Sequence, residues 1–567
     1  MVVARAGWIA VVGVALLCGV SAPAAVADNA IQRENALPGT TAWNGPGSSL
    51  IELYASQIGA APGDEIDVHV NTHPDPARYR LEIYRLGWYG GAGGRLITCL
   101  PSCSGDEQGR PQPVPTTTAT DGPPLRANWP VTDTFQTGAD WTSGYYEIRA
   151  VLTSGPDAGR GSVTYFILRE TPHTPASQIL VQVPVNTWEA YNQWGGKSLY
   201  DFDGPRAHEV SFDRPWGRYA NSPLWWEIQN VRFLEREGYD VSYQTDVDTD
   251  LDPSSLLDHR LVMTDGHDEY WSKNMRDGFD AALAGGTNLA FMNSNTGYWQ
   301  IRYEDNDRTI VAYKDASLDP EPDPMLKTVM FRQLGRPECM LEGDQMRYQP
   351  PHQTGPHDYT VVAPANDPWL ANTGLTPGTV IPDLVGDEWD GLNPWPDSCI
   401  HPGLTVLLHF ALNSPVGDAD AVRFTAPSGA RVFASGAQRF SWGLDTFGTQ
   451  QYGHNEPASP GLQQFVRNML DDLTRPQAPP SVWRVNPGVP GMLQIRTGWP
   501  ADPRIVGRLV YRIRNTDPPV LVCSGHSACL VPRMTVPGNY SYEAEYVDIW
   551  GRTSAPTFST VFTLHQA

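Results

Sequence analysis

The sequence has few basic residues for its length. Its 40 Lys and Arg stand against 63 Asp and Glu, which gives a formal net charge of −23 over 567 residues. This balance repels the phosphates of nucleic acids and of anionic lipids, so neither is an expected partner. After residue 27, no segment approaches the roughly eighteen apolar residues that a transmembrane helix needs. We therefore expect the mature chain to be soluble and to lack a membrane anchor.

The common catalytic signatures are also missing. The sequence contains no G-x-S-x-G elbow, no H-E-x-x-H pair, no Walker A loop and no glycine fingerprint after its first buried parallel-type strand. No cysteine lies in a strand-to-helix turn of the central region, which argues against a cysteine nucleophile. The stretch "TDVDTDLDP" has calcium-loop alternation but lacks the required glycine and glutamate, so a polar turn is favoured there.

The first 27 residues have the features of a secretory signal peptide. Arg5 supplies the positive end, "GWIAVVGVALLCGV" the apolar core, and 25–27 a small-x-small cleavage pattern. We expect cleavage before Asp28 and a secreted, extracellular protein. An even number of cysteines then remains, which favours disulfides. The close pairs look local, although spacing alone does not prove the connectivity, and the expected pairs are Cys99 with Cys103, Cys339 with Cys399 and Cys523 with Cys529.

Strand and helix patterns divide the remaining chain into three predicted domains. Residues 28–170 contain short strands between Gly/Pro turns, which predict an antiparallel β-sandwich. Residues 176–476 alternate apolar strands with helices, which predicts an α/β domain with a mainly parallel, amidotransferase- or Rossmann-like sheet. Residues 482–567 read as a fibronectin type III or immunoglobulin-like module. Two proline-rich stretches, "ETPHTPAS" and "TRPQAPPS", are the predicted linkers.

Polar side chains follow several predicted strands of the central region. Tyr191 follows the first strand, Glu269 another, Asn293 and Asn295 a third, and Glu388 lies in the loop "LVGDEWDG". In open α/β sheets, ligands bind beyond the carboxyl ends of the strands. Each residue alone is more often structural, because buried tyrosines usually pack and glutamates usually cap or pair. Together they predict a polar, aromatic-rich site at one edge of the sheet.

Six strings carry a resemblance to a known family, and in chain order they are "IYRLGWYGGAGGR", "SGYYEIR", "NTWEAYNQWGG", "GHDEYWS", "NSNTGYW" and "GDEWDG". Together they resemble the catalytic large subunit of N,N-dimethylformamidase and its wider family. The similarity covers roughly residues 45–470 and leaves the C-terminal module outside.

The resemblance implies a mononuclear iron(III) centre held by two tyrosinates and one glutamate. Carried over by motif, the ligands are Tyr146, Tyr191 and Glu269, with Tyr145 as the alternative to Tyr146 because adjacent strand residues face opposite ways. Hard anionic oxygens suit a hard trivalent cation, and three negative charges neutralise it. The implied catalytic residues are Glu388, which helps to activate water, Asn293 or Asn295, which orient the substrate, and His267 in the same string as Glu269.

The expected function is an exported, iron(III)-dependent hydrolase that cleaves the C–N bond of a small, linear amide. The alternative is a non-catalytic extracellular protein that recognises a polysaccharide or a cell-surface partner through an aromatic cleft and its C-terminal module. Two departures from the family bear on this choice. Asp268 stands where the family's motif usually has proline, and the formamidase is an intracellular complex with a small subunit. The sequence leaves the substrate and the oligomeric state open.

Overall fold

The fold is known from a computed structural model. It describes residues 28–115, 123–173, 175–201, 205–217, 223–348, 356–392, 399–412, 417–486, 489–500, 502–525 and 529–565. The predicted signal peptide, residues 1–27, lies outside the described residues. Within these ranges the chain is built mainly from β-sheets, with few and short helices. None of the helices in the described ranges is both long enough and apolar enough to cross a membrane.

The first region packs two sheets against each other. The sheet β1-β3-β7 lies against the sheet β2-β9-β8-β4-β5, and inward-facing side chains of both form one apolar core. Alternate residues of a strand point to opposite faces, so half of each strand reaches this core. The elements are α1 (Ala30–Asn35), β1 (Ile51–Ala55), β2 (Gly59–Ala60), β3 (Glu65–Thr72), β4 (Arg78–Leu86), β5 (Gly94–Leu100), β6 (Glu107–Gln108), β7 (Asp133–Gln136), β8 (Gly144–Leu152) and β9 (Gly161–Leu168).

The central region carries most of the helices. Its helices are α2 (Val185–Tyr191), α3 (Pro223–Trp226), α4 (Ile228–Glu237), α5 (Asp246–Leu251), α6 (Lys273–Ala284), α7 (Cys339–Glu342) and α8 (Pro460–Leu473). Its strands are β10 (Ile179–Val183), β11 (Glu209–Ser211), β12 (Val241–Thr245), β13 (Leu261–Thr264), β14 (Tyr270–Ser272), β15 (Asn288–Phe291), β16 (Trp299–Glu304), β17 (Thr309–Val311), β18 (Gln345–Tyr348), β19 (His357–Val361), β20 (Val380–Val385), β21 (Trp389–Gly391), β22 (Thr405–Phe410), β23 (Ala419–Thr425) and β24 (Arg431–Ala434).

A nine-stranded sheet runs through this region in the order β12-β10-β13-β15-β24-β23-β22-β19-β20. The five strands from β12 to β24 pair in parallel, whereas the four pairings from β24 to β20 are antiparallel. The sheet is therefore mixed, which corrects the expectation of a mainly parallel sheet. The physical reason is the connections, because β22, β23 and β24 follow one another as a meander that needs no crossover helix.

Local sequence signals explain where the helices begin and end. Helix α4 ends at Gly238, whose φ of 76° is the left-handed conformation that glycine adopts without strain. Helix α6 begins after Ser272, whose side chain accepts a hydrogen bond from the amide of Met275. Thr245 and Asp248 form a capping box at the start of α5. The segment "DVDTDL" is thus helical, where the sequence favoured a polar turn.

A buried ion pair joins the first region to the central region. Arg85 on β4 donates to Glu235 on α4 at 2.7 Å, and both side chains are fully buried. Tyr89, from the same string, donates to Glu34 at 2.6 Å. Part of the string "IYRLGWYGGAGGR" therefore serves the contact between two regions of the chain.

The C-terminal region contains two more sheets, β25-β26-β29 and β28-β27-β30-β31, with β32 beside β30. It contacts the amino-terminal ends of the parallel strands. Arg504 donates to the carbonyls of His259 and Gly286, and Arg260 forms ion pairs with Asp502 and Asp548. The strands are β25 (Val482–Val485), β26 (Met492–Thr497), β27 (Ile505–Arg514), β28 (Val520–Ser524), β29 (Cys529–Pro532), β30 (Gly538–Asp548), β31 (Thr557–Phe558) and β32 (Phe562–Leu564).

Six cysteines form the three expected disulfides. The expected pairing is confirmed, and the bonds are Cys99–Cys103, Cys339–Cys399 and Cys523–Cys529.

Candidate active site

Four chain segments bring polar side chains to one edge of the central sheet. Tyr191 ends helix α2, which follows β10, while Glu269 follows β13 and Asn295 follows β15. Glu388 follows β20, which runs in the same direction as β15 although antiparallel strands lie between them. All four therefore lie beyond the carboxyl ends of strands, where open sheets place their ligands.

The turn after β13 is shaped by Gly266. Its φ is 72°, and a Cβ at this position would lie only 2.1 Å from an Oε of Glu227. Only glycine meets both conditions. Beyond the turn, the backbone amide of Glu269 donates to Oγ1 of Thr187 on α2 at 3.0 Å. The glutamate is thus held against α2, the helix that ends at Tyr191.

Two phenols point at the same carboxylate oxygen. The hydroxyl of Tyr191 donates to Oε2 of Glu269 at 3.2 Å, and the hydroxyl of Tyr200 donates to it at 2.8 Å. The two phenol rings lie with their centroids 4.2 Å apart. Tyr200 is not among the metal ligands predicted from the sequence. Its only signal is position, since it is the next tyrosine after Tyr191, at the end of the string "GGKSLY".

The structure does not bring Tyr146 to this group, which corrects the sequence-based expectation. Its hydroxyl donates to the carbonyl of Thr142 at 2.8 Å, and its ring stacks on Trp141 and Phe166 in the core of the first region. Tyr145, the alternative, does face the central region. It contacts the rings of Trp188 and Tyr243, and no bond joins it to Glu269. The pleat of β8 separates these adjacent tyrosines, as expected, but neither joins the site.

A histidine and a second glutamate adjoin the phenol group. Nε2 of His267 lies 3.0 Å from Oε2 of Glu388 and 3.6 Å from Oε2 of Glu269. Nδ2 of Asn295 donates to Oε2 of Glu388 at 2.8 Å. His267 therefore bridges the two carboxylates, and Asn295 holds one of them.

Asn293 has a different position from its neighbour Asn295. Its Oδ1 accepts hydrogen bonds from the hydroxyls of Thr264 and Thr296, both at 3.0 Å, and its carbonyl accepts from Ser435. These bonds tie together the ends of β13, β15 and β24. The side-chain oxygen of Asn293 is thus used inside the protein, and a role of this residue in orienting a substrate stays a prediction.

A lysine stands behind the phenols. Nζ of Lys314 donates to the hydroxyl of Tyr270 at 2.6 Å, and that hydroxyl donates to the hydroxyl of Tyr200, also at 2.6 Å. The ammonium also lies 3.9 Å from the centroid of the Tyr200 ring. A chain of hydrogen bonds therefore runs from Lys314 through Tyr270 and Tyr200 to Glu269.

A cleft of about 700 Å³ opens beside part of this group. This volume suits a small organic ligand. The residues of the cleft wall that matter here are Tyr200, Glu269, Asn295, Tyr298, Trp299 and Lys314.

Residues 80–455, more than half of the chain, match the family model described as N,N-dimethylformamidase beta subunit-like, C-terminal. The chain belongs to the N,N-dimethylformamidase beta subunit-like family. None of the curated proteins matches it significantly.

Three of the solved structures that match this dimethylformamidase-like chain have low sequence identity and low TM-scores. A cytokine receptor complex is 12% identical, with 37% of this chain and 87% of that chain covered and a TM-score of 0.14. The FN1–FN3 domains of chicken CNTN1 are 6% identical, with 91% and 100% covered and a TM-score of 0.13. The chitinase ChiA74 of Bacillus thuringiensis is 12% identical, with 59% and 61% covered and a TM-score of 0.14. At such scores no structural argument follows.

Asp268, the departure from the motif of the dimethylformamidase-like family, has a clear structural place. It accepts hydrogen bonds from Nε1 of Trp271 at 2.7 Å and from Nε2 of Gln182 at 2.8 Å. Burial raises the pKa of this carboxyl to about 7, although both hydrogen bonds oppose the shift. Asp268 thus anchors the strand-end turn from within the core through its bonds to Trp271 and Gln182.

The site favours uncharged phenols as long as no cation is present. Burial, and next the charge of Glu269, raise the pKa of Tyr191 and of Tyr200 well above the usual value. Burial also raises the pKa of Glu269, while His267 opposes that shift. Burial lowers the pKa of Lys314 to about 8, and Glu269 opposes the change. Ionising both phenols therefore requires a positive charge beside them.

The donor set of this dimethylformamidase-like site fits a metal ion. Tyr191, Tyr200 and Glu269 offer three hard oxygens that already converge through the hydrogen bonds to one carboxylate oxygen. Fully ionised, they carry three negative charges, which match a hard, highly charged cation. Three protein ligands also leave room for water and substrate, the usual condition of a catalytic metal site.

Proposed function

We propose that this protein is an iron(III)-dependent hydrolase that cleaves the C–N bond of a small amide. The proposed ligands are the phenolates of Tyr191 and Tyr200 and the carboxylate of Glu269. The observation that carries the proposal is the approach of both phenols to one oxygen of Glu269. Membership of a dimethylformamidase-like family supports amide hydrolysis as the reaction.

The residues beside the proposed ligands can handle the protons of such a reaction. When bound, iron(III) supplies a Lewis acid that polarises an amide carbonyl and acidifies water. Glu388 is the proposed acceptor of a proton from the attacking water, because His267 lies between its carboxylate and that of the proposed ligand Glu269. His267, 3.0 Å from that carboxylate, can pass the proton to the leaving amine. Asn295 holds Glu388 in place for both steps.

A small amide is the proposed substrate. The cleft of about 700 Å³ admits a compact molecule, and the rings of Tyr298 and Trp299 offer apolar surface for N-alkyl groups. We also propose that residues 1–27 are a signal peptide and that the protein is exported. Three disulfides agree with an oxidising compartment.

The predicted domain division remains part of this proposal. We infer a sandwich domain at 28–170, an α/β catalytic domain at 176–476 and a fibronectin-like module at 482–567. The catalytic domain supplies every proposed iron ligand and every residue assigned to proton transfer. The sandwich supports it through the Arg85–Glu235 ion pair.

The test compares three Tyr→Phe variants that each remove one hydroxyl from a buried or half-buried ring. The wild-type protein, purified and loaded with iron(III), should carry about one iron per chain and a visible tyrosinate-to-iron absorption band. Tyr191→Phe and Tyr200→Phe should lose the band and most of the iron. Tyr146→Phe is the matched control and should keep both.

Two results would refute the proposal. One is wild-type protein that binds no iron even after reconstitution, which would favour a non-catalytic binding protein for a polysaccharide or another extracellular partner. The other is an iron band that survives in Tyr200→Phe but is lost in Tyr146→Phe, which would move the ligand to the sandwich. Hydrolysis of formamide and N,N-dimethylformamide, followed by amine release, tests the reaction separately.

A further inference from the structure

A second group of acidic side chains lies behind the active site. Glu342, Asp344 and Asp390 each place a carboxylate oxygen within 4.8 Å of the other two. Glu342 ends helix α7, Asp344 precedes β18, and Asp390 lies on β21, which pairs with β18. Their side chains are no more than 2% exposed. Three carboxylates are therefore gathered where water does not reach them.

Asp344 has no partner for its charge. It is fully buried, and within the described ranges neither of its carboxylate oxygens has a hydrogen-bond partner. Among the described residues, no Arg, Lys or His forms an ion pair with any of the three carboxylates. A buried carboxylate without a partner is strongly unfavourable, so native proteins nearly always supply one.

The surroundings are shaped to leave space at this carboxylate. Gly436 has a φ of 60°, and a Cβ there would approach Oδ2 of Asp344 to 3.0 Å and the carbonyl oxygen of Asp420 to 2.1 Å. Burial raises the pKa of Glu342 and of Asp344 well above the usual range. Without a cation these groups would take up protons, and with one they would ionise and bind it.

We propose that Glu342, Asp344 and Asp390 bind a calcium ion. The group contains only carboxylate oxygens and no nitrogen or sulfur donor, which selects a hard cation. Up to six oxygens are available if the carboxylates bind in bidentate fashion, and Ca²⁺ takes six to eight at flexible geometry. Mg²⁺ fits less well, because it keeps several of its waters and demands a strict octahedron.

The calcium ion would hold an active-site residue in place. The backbone amide of Asn295 donates a hydrogen bond to both carboxylate oxygens of Asp390, at 3.0 and 2.9 Å. Asn295, whose φ is 56°, in turn holds Oε2 of Glu388 through its side chain. Asp390 is therefore a positioning residue, and the ion that fixes it also fixes the loop of Asn295, whose side chain holds Glu388 on a second loop.

The test measures calcium and iron in the same samples of full-length protein. Protein is equilibrated with CaCl2, desalted into calcium-free buffer and examined by elemental analysis. Wild type should keep about one Ca²⁺ per chain, and Asp344→Asn should lose it while retaining iron. Glu456→Gln, which removes one exposed carboxylate elsewhere in the chain, should keep both metals. Tyr200→Phe should show the reverse loss, so the calcium and iron proposals fail independently.

Thermal unfolding provides a second readout that needs no variant. Adding Ca²⁺ to EGTA-treated wild type should raise Tm by several degrees, because a ligand that binds only the folded state stabilises it. Asp344→Asn should show no such rise, and its amide hydrolysis should fall severalfold with KM little changed. Wild type that retains no calcium and shows no shift in Tm would overturn the proposal. An equal response to Mg²⁺, or an unchanged calcium content in Asp344→Asn, would overturn it as well.

Discussion

Two sets of tyrosines, one in the sandwich and one at the strand ends, have opposite surroundings. Tyr146 is fully buried between two aromatic rings and donates to a backbone carbonyl. Tyr191 and Tyr200 are half-buried, and both donate to a carboxylate that lines a cleft. A carbonyl acceptor satisfies a phenol and leaves it neutral. A carboxylate shared by two phenols would offer a cation three oxygens once both phenols lose their protons. The hydrogen-bond acceptor, more than the burial, therefore distinguishes the two proposed ligands from the packing ring of Tyr146.

The largest effect should come from Glu388→Gln. Removing the base while keeping the shape of the side chain should lower kcat for formamide by about 10²- to 10⁴-fold, the usual contribution of a general base. Iron content should stay at the wild-type level, because Glu388 is not a proposed ligand. Glu456→Gln is the control for loss of one carboxylate. Full activity in Glu388→Gln would show that Glu388 is not the general base of the reaction.

The pH dependence of iron loading comes next. Both phenols must lose a proton to bind iron, and burial raises the pKa of Tyr191 and Tyr200. Apparent iron affinity should therefore rise with pH, by about tenfold per pH unit for each proton released. Competition with a chelator of known proton linkage measures the slope. The dependence of iron affinity on pH should have the same slope in Tyr146→Phe as in wild type. A lower slope in that variant would mean that Tyr146 also loses a proton when iron binds.

Glu147, a buried carboxyl of the sandwich, should make the stability of the protein depend on pH. This sandwich residue is 1% exposed, and burial raises its pKa to about 8 although Arg149 opposes the shift. The folded state binds the proton of Glu147 more tightly than the unfolded state does. The contribution of this group to the free energy of unfolding is therefore complete below pH 4.5 and decreases as the pH rises to about 8. Glu147→Gln should flatten that decline, which amounts to a few kcal/mol at about 1.4 kcal/mol per pKa unit. Denaturant unfolding at pH 5 and pH 8 measures it, and unchanged pH dependence would contradict the assignment.

The smallest expected effect is that of Tyr146→Phe on stability. The variant loses one hydrogen bond to the carbonyl of Thr142 and keeps the stacked ring, so unfolding should become easier by about 1 kcal/mol. Urea unfolding of the variant beside wild type gives the difference. A loss several times larger would mean that the hydroxyl of Tyr146 carries a role beyond packing.

The sequence predicts much of the site because buried strands carry a strong pattern. The apolar runs before Tyr191, Glu269 and Asn295 mark strand ends, and strand ends of like direction share one edge. Tyr200 was missed because it lies in an irregular segment, whose path no periodicity encodes. Tyr146 was misplaced because β8 is buried on both faces, so its pattern does not tell which face meets the central region. The antiparallel half of the sheet was missed for a related reason, since short apolar runs do not encode strand direction.

The contact between the C-terminal region and the central sheet has a practical consequence. Arg504 and Arg260 hold that region against the amino-terminal ends of the parallel strands, opposite the edge that carries the cleft. A solid support, an affinity handle or a fluorescent dye attached to the C-terminal region would thus face away from the cleft mouth. Immobilised protein oriented in this way would leave its cleft open to the surrounding solution.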